Sequence, residues 1–181
     1  MRKLIGSAVL VTVLAIAPTL ASAQRRPAAR APAPRSQQHP SFGVQLDWGN
    51  DPNFGIGGRG VFPLQSLFPK TPLDGIVSFD YYFPSGAPAG SSQHFWEING
   101  NVAYRFRVPA RSSFRPYGGG GLNIAHSSAS AGGFSASGTD VDLNILAGTT
   151  FRVKSSVTPF AEIRGVVGNA NQVVFTGGVR F

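Results

Sequence analysis

The chain has 181 residues, a length that suits one domain, and no cysteine, which excludes a disulfide framework and thiolate chemistry. Charged residues make up only 13%, against 23 glycines and 14 prolines, a balance that suits strands and turns better than helices. The net charge of +8 raises nucleic acid or an anionic membrane as partners, and the placement of the charges has to decide between them.

Residues 1–23 read as a secretory signal peptide. Arg2 and Lys3 form a basic start, residues 4–20 are largely apolar, and Ala21-Ser22-Ala23 is a small-x-small cleavage site. Pro18 and the short apolar run argue against a membrane-spanning helix. Residues 24–40 are rich in Pro, Ala and Arg, have no aromatic residue and show no apolar period. Such a segment cannot bury enough surface to offset its ordering entropy and is expected to be a disordered tail. Its Arg25, Arg26, Arg30 and Arg35 suit a solvated linker, with contact to an anionic surface as the alternative.

From Ser41 to Phe181 the chain divides into eight alternating runs: 42–49, 54–62, 73–83, 95–108, 114–126, 139–153, 157–167 and 172–181. Turn-forming residues fill the gaps, and the longest polar connections are 84–94 and the Ser/Gly/Ala-rich 127–138. No helical period appears after residue 40. Runs of about ten residues match the span of a tilted transmembrane strand. The last run ends on Phe181, which as an open edge would be exposed and adhesive, so it predicts closure against the first strand.

Side chains in a strand alternate between faces. One face collects Phe42, Val44, Leu46 and Trp48 in the first run and Leu143, Ile145 and Phe151 in the sixth, and carries no charge in any run. The other face takes Asp47, Asp74, Asp80, Glu97, Asp140, Asp142 and Glu162, with as many arginines: Arg59, Arg105, Arg107, Arg115, Arg152, Arg164 and Arg180. A balanced, Lys-free set suits ions paired inside a narrow lumen, because the planar guanidinium matches a carboxylate. A charge on a lipid-facing side would cost about 2–4 kcal/mol at the midplane. A soluble barrel would invert this arrangement, with the apolar face inside. The surplus positive charge falls in the leader, the tail and the turns, which excludes a nucleic-acid stripe.

Threading the runs up and down places Trp48, Phe83 and Trp96 at one rim and Phe106, Phe151 and Phe181 at the other, as two membrane girdles. The fold expected is therefore all-β: an eight-stranded antiparallel up-and-down transmembrane barrel. Its expected lumen network comprises Asp47, Arg59, Asp80, Glu97, Arg105, Arg107, Asp140, Asp142, Arg152, Glu162, Arg164 and Arg180.

In Phe114-Arg-Pro-Tyr-Gly-Gly-Gly-Gly-Leu122, in the related 157–165 stretch and in the terminal Gly178-Val-Arg-Phe181, the chain resembles the small OmpA/OmpX-type outer-membrane barrels. The resemblance implies the cell outer membrane as location, its lipid and lipopolysaccharide as surroundings, a monomer, and use of the C-terminal Phe as a signal to the barrel-assembly machinery. It is nearly silent on activity. A non-enzymatic structural or surface-contact role is expected, with loops 84–94 and 127–138 as the contact sites. A narrow channel for small polar solutes is the first alternative, and an enzyme like the lipid A deacylases the second.

Motifs that carry chemistry elsewhere have bland readings here. Gly55-Ile-Gly-Gly-Arg-Gly60 satisfies G-x-G-x-x-G, but it sits inside a strand, where glycines ease curvature, not at a strand-to-helix turn. Gly118–Gly121 lacks the Lys-Ser/Thr of a phosphate loop. His39, His94 and His126 lack metal-ligand spacing, so no cofactor or metal is expected. His126 and Ser128 do have the His-x-Ser spacing of the eight-stranded lipid A deacylases, with Asp140 in place of their Glu. Ala129 replaces the Asn of that family, and Asp140 falls on the lumen face, away from His126.

Overall fold

The computed structural model describes residues 39–50, 54–84, 90–169 and 171–181. The expected leader lies outside the described residues, as does all of 24–40 except His39 and Pro40. Eight strands follow: β1 Ser41–Gly49, β2 Phe54–Pro63, β3 Leu73–Phe83, β4 Ser91–Arg105, β5 Phe114–Ala131, β6 Phe134–Phe151, β7 Thr158–Val167 and β8 Gln172–Arg180. Each pairs antiparallel with its sequence neighbours, and β1 pairs with β8 from Gly43↔Arg180 to Gly49↔Val174, closing the barrel. Closure satisfies the ladder bonds of every strand within the spanning region, as a bilayer requires.

The alternation is complete in β1. Phe42, Val44, Leu46 and Trp48 point outward at 55–62% exposure, while Gly43, Gln45 and Asp47 are buried. The same inversion runs round the barrel. Ile56, Val77, Ile98, Leu122, Ile145 and Phe175 are exposed, and Arg59, Asp80, Glu97, Asn123, Asn144 and Thr176 are buried. No described helix is long and apolar enough to cross a membrane, which says nothing about crossing by strands.

Three strands depart from the expected bounds. The 127–138 segment is not a loop. β5 and β6 continue to a turn at Gly132-Gly133, whose φ values of +57° and +86° fit the type I′ geometry of a two-residue hairpin. β4 begins at Ser91, so Ser91↔Ala131 and His94↔Ser128 are paired and the 84–94 connection shortens. The three strands rise together above the ladder of their outer neighbours, since β3 pairs with β4 only as far as Phe95 and β7 with β6 only from Leu143. We call this the hairpin end. The extension escaped the sequence reading because a strand outside the bilayer needs no greasy face; its Ser and Ala residues erase the apolar period without ending the strand. At the other end β4 stops at Arg105; the Phe106 amide still donates to the Pro116 carbonyl of β5 at 3.0 Å, and Arg107 and Val108 lie beyond the strand.

The connection over residues 64–72 at that other end, the turn end, is long but folded on itself. Leu67 and Phe68 both donate their amides to the Leu64 carbonyl, at 3.1 and 2.8 Å. Leu67 and Phe68 remain exposed.

Candidate functional site

The lumen holds two buried ion-pair centres. In the first, Arg164 is 1% exposed. Its Nη2 donates to Glu97 Oε2 at 2.8 Å and to the Tyr82 hydroxyl at 3.2 Å, and its Nη1 lies 3.5 Å from Asp80 Oδ2. Asp80 also accepts from Gln45 Nε2 at 2.7 Å, Ser78 Oγ at 2.9 Å and Asn99 Nδ2 at 2.9 Å. Asp47 accepts from Thr176 and, at 3.4 Å, from Gln45. In the second, Arg59 forks onto Glu162, Nη2 to Oε1 at 2.8 Å and Nη1 to Oε2 at 3.2 Å. Tyr117 donates to Glu162 Oε2 at 2.8 Å, and the Arg59 guanidinium sits 4.3 Å over the Phe160 ring. Buried charges need such partners to offset their desolvation.

An amide ladder joins the strands between them. Asn123 and Asn144 both donate to Asn99 Oδ1 at 2.8 Å, and Asn144 also to Asn101 Oδ1 at 3.1 Å. On the turn-end side, Val61, Ile76, Ala103, Tyr117 and Leu146 form an apolar cluster across the interior. The lumen is therefore not filled by charge alone. The sequence reading missed this cluster and the amides because it followed charges. Each lies at the inward parity of its own strand, as Asp80 does on β3 and Glu97 on β4, a signal the alternation already contained.

Glycines at lumen positions make room for the large interior groups. A Cβ on Gly57 would fall on the Asp80 carboxylate, and one on Gly55 would meet the Tyr82 ring. Both belong to the G-x-G-x-x-G run, whose role here is clearance.

Asp47, Arg59, Asp80, Glu97, Asp142, Glu162 and Arg164 are buried inside the barrel. Asp142 Oδ1 accepts the Asn169 amide at 2.7 Å. Arg105 pairs with Asp74 at 3.1 Å at the turn-end mouth, where Arg180 is half-buried. Asp140 is half-buried at the hairpin end and accepts from Asn169 Nδ2 at 3.2 Å. Two assignments are corrected. Arg107 and Arg152 are exposed: both follow the last strand residue, Arg105 of β4 and Phe151 of β6, at the open mouth of the barrel, and although the Arg152 amide still donates to the Ser113 carbonyl at 2.8 Å, its side chain is not enclosed. Arg152 instead donates to the Ala110 carbonyl of the neighbouring turn.

Of the girdle residues, Trp48, Phe83, Phe106, Phe151 and Phe181 are exposed. Trp96 is half-buried, its ring 6.1 Å from Phe79 and stacked 5.1 Å from His126.

The His126, Ser128 and Asp140 set does not converge. His126 Nδ1 is 2.9 Å from Thr139 Oγ1, and Asp140, on the opposite face from His126, is engaged by Asn169. An outward groove of about 780 Å³ does exist, lined by Val44, Leu46, Ile56, Phe79 and Val179, but it lies on β8, β1, β2 and β3, away from His126. Among the described residues no cluster of His, Cys, Asp or Glu could hold a metal.

Comparison with known proteins agrees with this geometry. The N-terminal barrel domain of Pseudomonas aeruginosa OprF superposes with a TM-score of 0.60 at 18% identity, covering 78% of this chain and 96% of that one. Neisserial surface protein A gives 0.58 at 21%, covering 78% and 94%. The attachment invasion locus protein Ail of Yersinia pestis gives 0.53 at 16%, covering 78% and 93%. These likenesses are of fold. No curated protein matches the chain. The family model described as "outer membrane protein beta-barrel domain" matches residues 7–180, and with the closed, inside-out barrel it establishes that this chain is a member of the outer-membrane β-barrel domain family, a protein of the outer membrane.

Proposed function

We propose that the chain is a non-enzymatic outer-membrane barrel with a sealed lumen, acting in envelope integrity or surface contact. The observation that carries this reading is the filled interior. Arg164 with Asp80 and Glu97, and Arg59 with Glu162, cross the lumen at 5% exposure or less, and the apolar layer lies beneath them. Side chains just fill a barrel of eight strands, so paired charges act as a plug sooner than as a path. The scattered positions of His126, Ser128 and Asp140 support the absence of a hydrolytic role. The β4–β5–β6 extension, with Phe134 at 84% exposure beside its turn, is the element offered for contact. Lipid and lipopolysaccharide are its surroundings in this reading, and the barrel-assembly machinery its partner in biogenesis.

Planar-bilayer conductance of the protein extracted from outer membranes tests the reading. A folded, heat-resistant barrel that stays electrically silent is expected. Stable single-channel steps would replace the sealed barrel with a small porin.

A further inference from the structure

The barrel is polarised along its axis. Of the ten Lys and Arg residues from Ser41 onward, only Arg59 and Arg164 lie deep in the lumen. Lys70, Arg107, Arg111, Arg115, Arg152 and Lys154 are exposed at the turn end, and Arg105 and Arg180 are half-buried at its mouth. Asp74 is the sole side-chain carboxylate among them, and it is engaged by Arg105. The hairpin end is the reverse. Its connections and the β4–β5–β6 extension contain no Lys or Arg, and Asp140 and Asp142 lie there.

The cations also have a fixed depth. Phe106 stands between Arg105 and Arg107, Phe114 precedes Arg115, Phe151 precedes Arg152, and Phe181 follows Arg180. These four rings are 40–66% exposed. In the 64–72 turn, Leu67 and Phe68 stand 71% and 48% exposed, three and two residues before Lys70. Exposed rings anchor at the interface between hydrocarbon and head groups, and a cation beside them reaches the phosphates. A soluble anionic polymer would explain the charge but not the exposed apolar residues at the same level.

We infer that the turn end is a collar that binds the head groups of anionic phospholipid in the adjoining leaflet, through Lys70, Arg107, Arg111, Arg115 and Lys154. Arg152 braces the collar by holding the Ala110 carbonyl. Each cation near an anionic surface favours it by about five-fold.

The test reconstitutes the full chain in phosphatidylcholine bilayers and compares the association of spin-labelled phosphatidylglycerol with that of spin-labelled phosphatidylcholine. The native chain is expected to prefer phosphatidylglycerol several-fold, with the preference fading as salt rises. The K70Q/R107Q/R115Q/K154Q variant, whose altered side chains are all exposed, is expected to fold with native heat resistance and lose most of the preference. If that variant does not fold, K70Q/R107Q and R115Q/K154Q each should lose part of it. Equal association of the two lipids with the native chain, or a preference unchanged in the variants, overturns the inference. Inorganic phosphate that abolishes the preference where chloride of equal ionic strength does not would mean a phosphate-ion site and not a lipid surface. Pelleting with an anionic cell-wall polymer without any lipid preference would reassign the collar to that polymer.

Discussion

Arg164 is the residue on which the upper lumen turns. Replacing it with Met leaves Asp80 and Glu97 buried without their cation, and the expected loss is about 3–5 kcal/mol of unfolding free energy in detergent, read by denaturant titration. A replacement that costs less than about 1 kcal/mol would mean that the pair is hydrated and the lumen wet. The glycines give a sharper contrast. At Gly57 an added methyl collides with the Asp80 carboxylate, while at Gly100 it meets nothing within 4 Å. Gly57→Ala is expected to destabilise by about 1–3 kcal/mol, as overpacking does, and Gly100→Ala to stay within about 0.5 kcal/mol; melting temperatures of the two variants check this. At this scale the sequence was half legible. Parity alone located Asp47, Arg59, Asp80, Glu97, Glu162 and Arg164. It could not show that Asn99, Asn123 and Asn144 form one hydrogen-bonded rung, because that depends on the register of three strands at once. Nor could it reveal what Gly55 and Gly57 make room for, since Tyr82 and Asp80 are on another strand.

Among the elements, β4, β5 and β6 do two jobs. Their lower parts span the barrel, and their upper parts leave it as a small sheet closed by Gly132-Gly133. The upper part is held by its ladder and by contacts such as Ser92 Oγ to Ser130 Oγ at 2.8 Å, without large buried side chains. Local opening follows the number of buried apolar contacts. Amide exchange at 127–139 is therefore expected to be much faster than at 141–150, and replacing 127–138 with a two-residue Asn-Gly turn should leave the barrel heat-resistant on gels. Equal protection along β6 would contradict this division. The strand bounds at both ends of β4 were misjudged for one reason. Apolar alternation reports the lipid boundary and not the ladder, so it stopped short at the hairpin end, and parity was carried too far at Arg107 and Arg152.

The whole molecule is a soluble protein turned inside out, with its polar groups in the centre and its apolar side chains on the perimeter. Charge follows the same logic along the axis, with cations gathered at the turn end beside exposed rings. The fold was readable in the sequence because an eight-stranded barrel in a bilayer imposes one rule on every strand. The apolar layer of Val61, Ile76 and Leu146 was not, because inward apolar residues break that rule locally to complete the seal.

The chain has no cysteine, so single substitutions give clean probes of this arrangement. The most direct measurement is accessibility along β6 in membranes, with one cysteine at a time at Leu143, Asn144 and Ile145. Cysteines at 143 and 145, labelled with a fluorophore in the unfolded chain and refolded into bilayers, should be quenched by brominated lipid and not by iodide, and an unlabelled cysteine at 144 should resist a charged, water-soluble thiosulfonate. Rapid reaction of the 144 cysteine would contradict the sealed lumen, and quenching of the 143 and 145 labels by iodide but not by brominated lipid would contradict the direction in which the barrel faces.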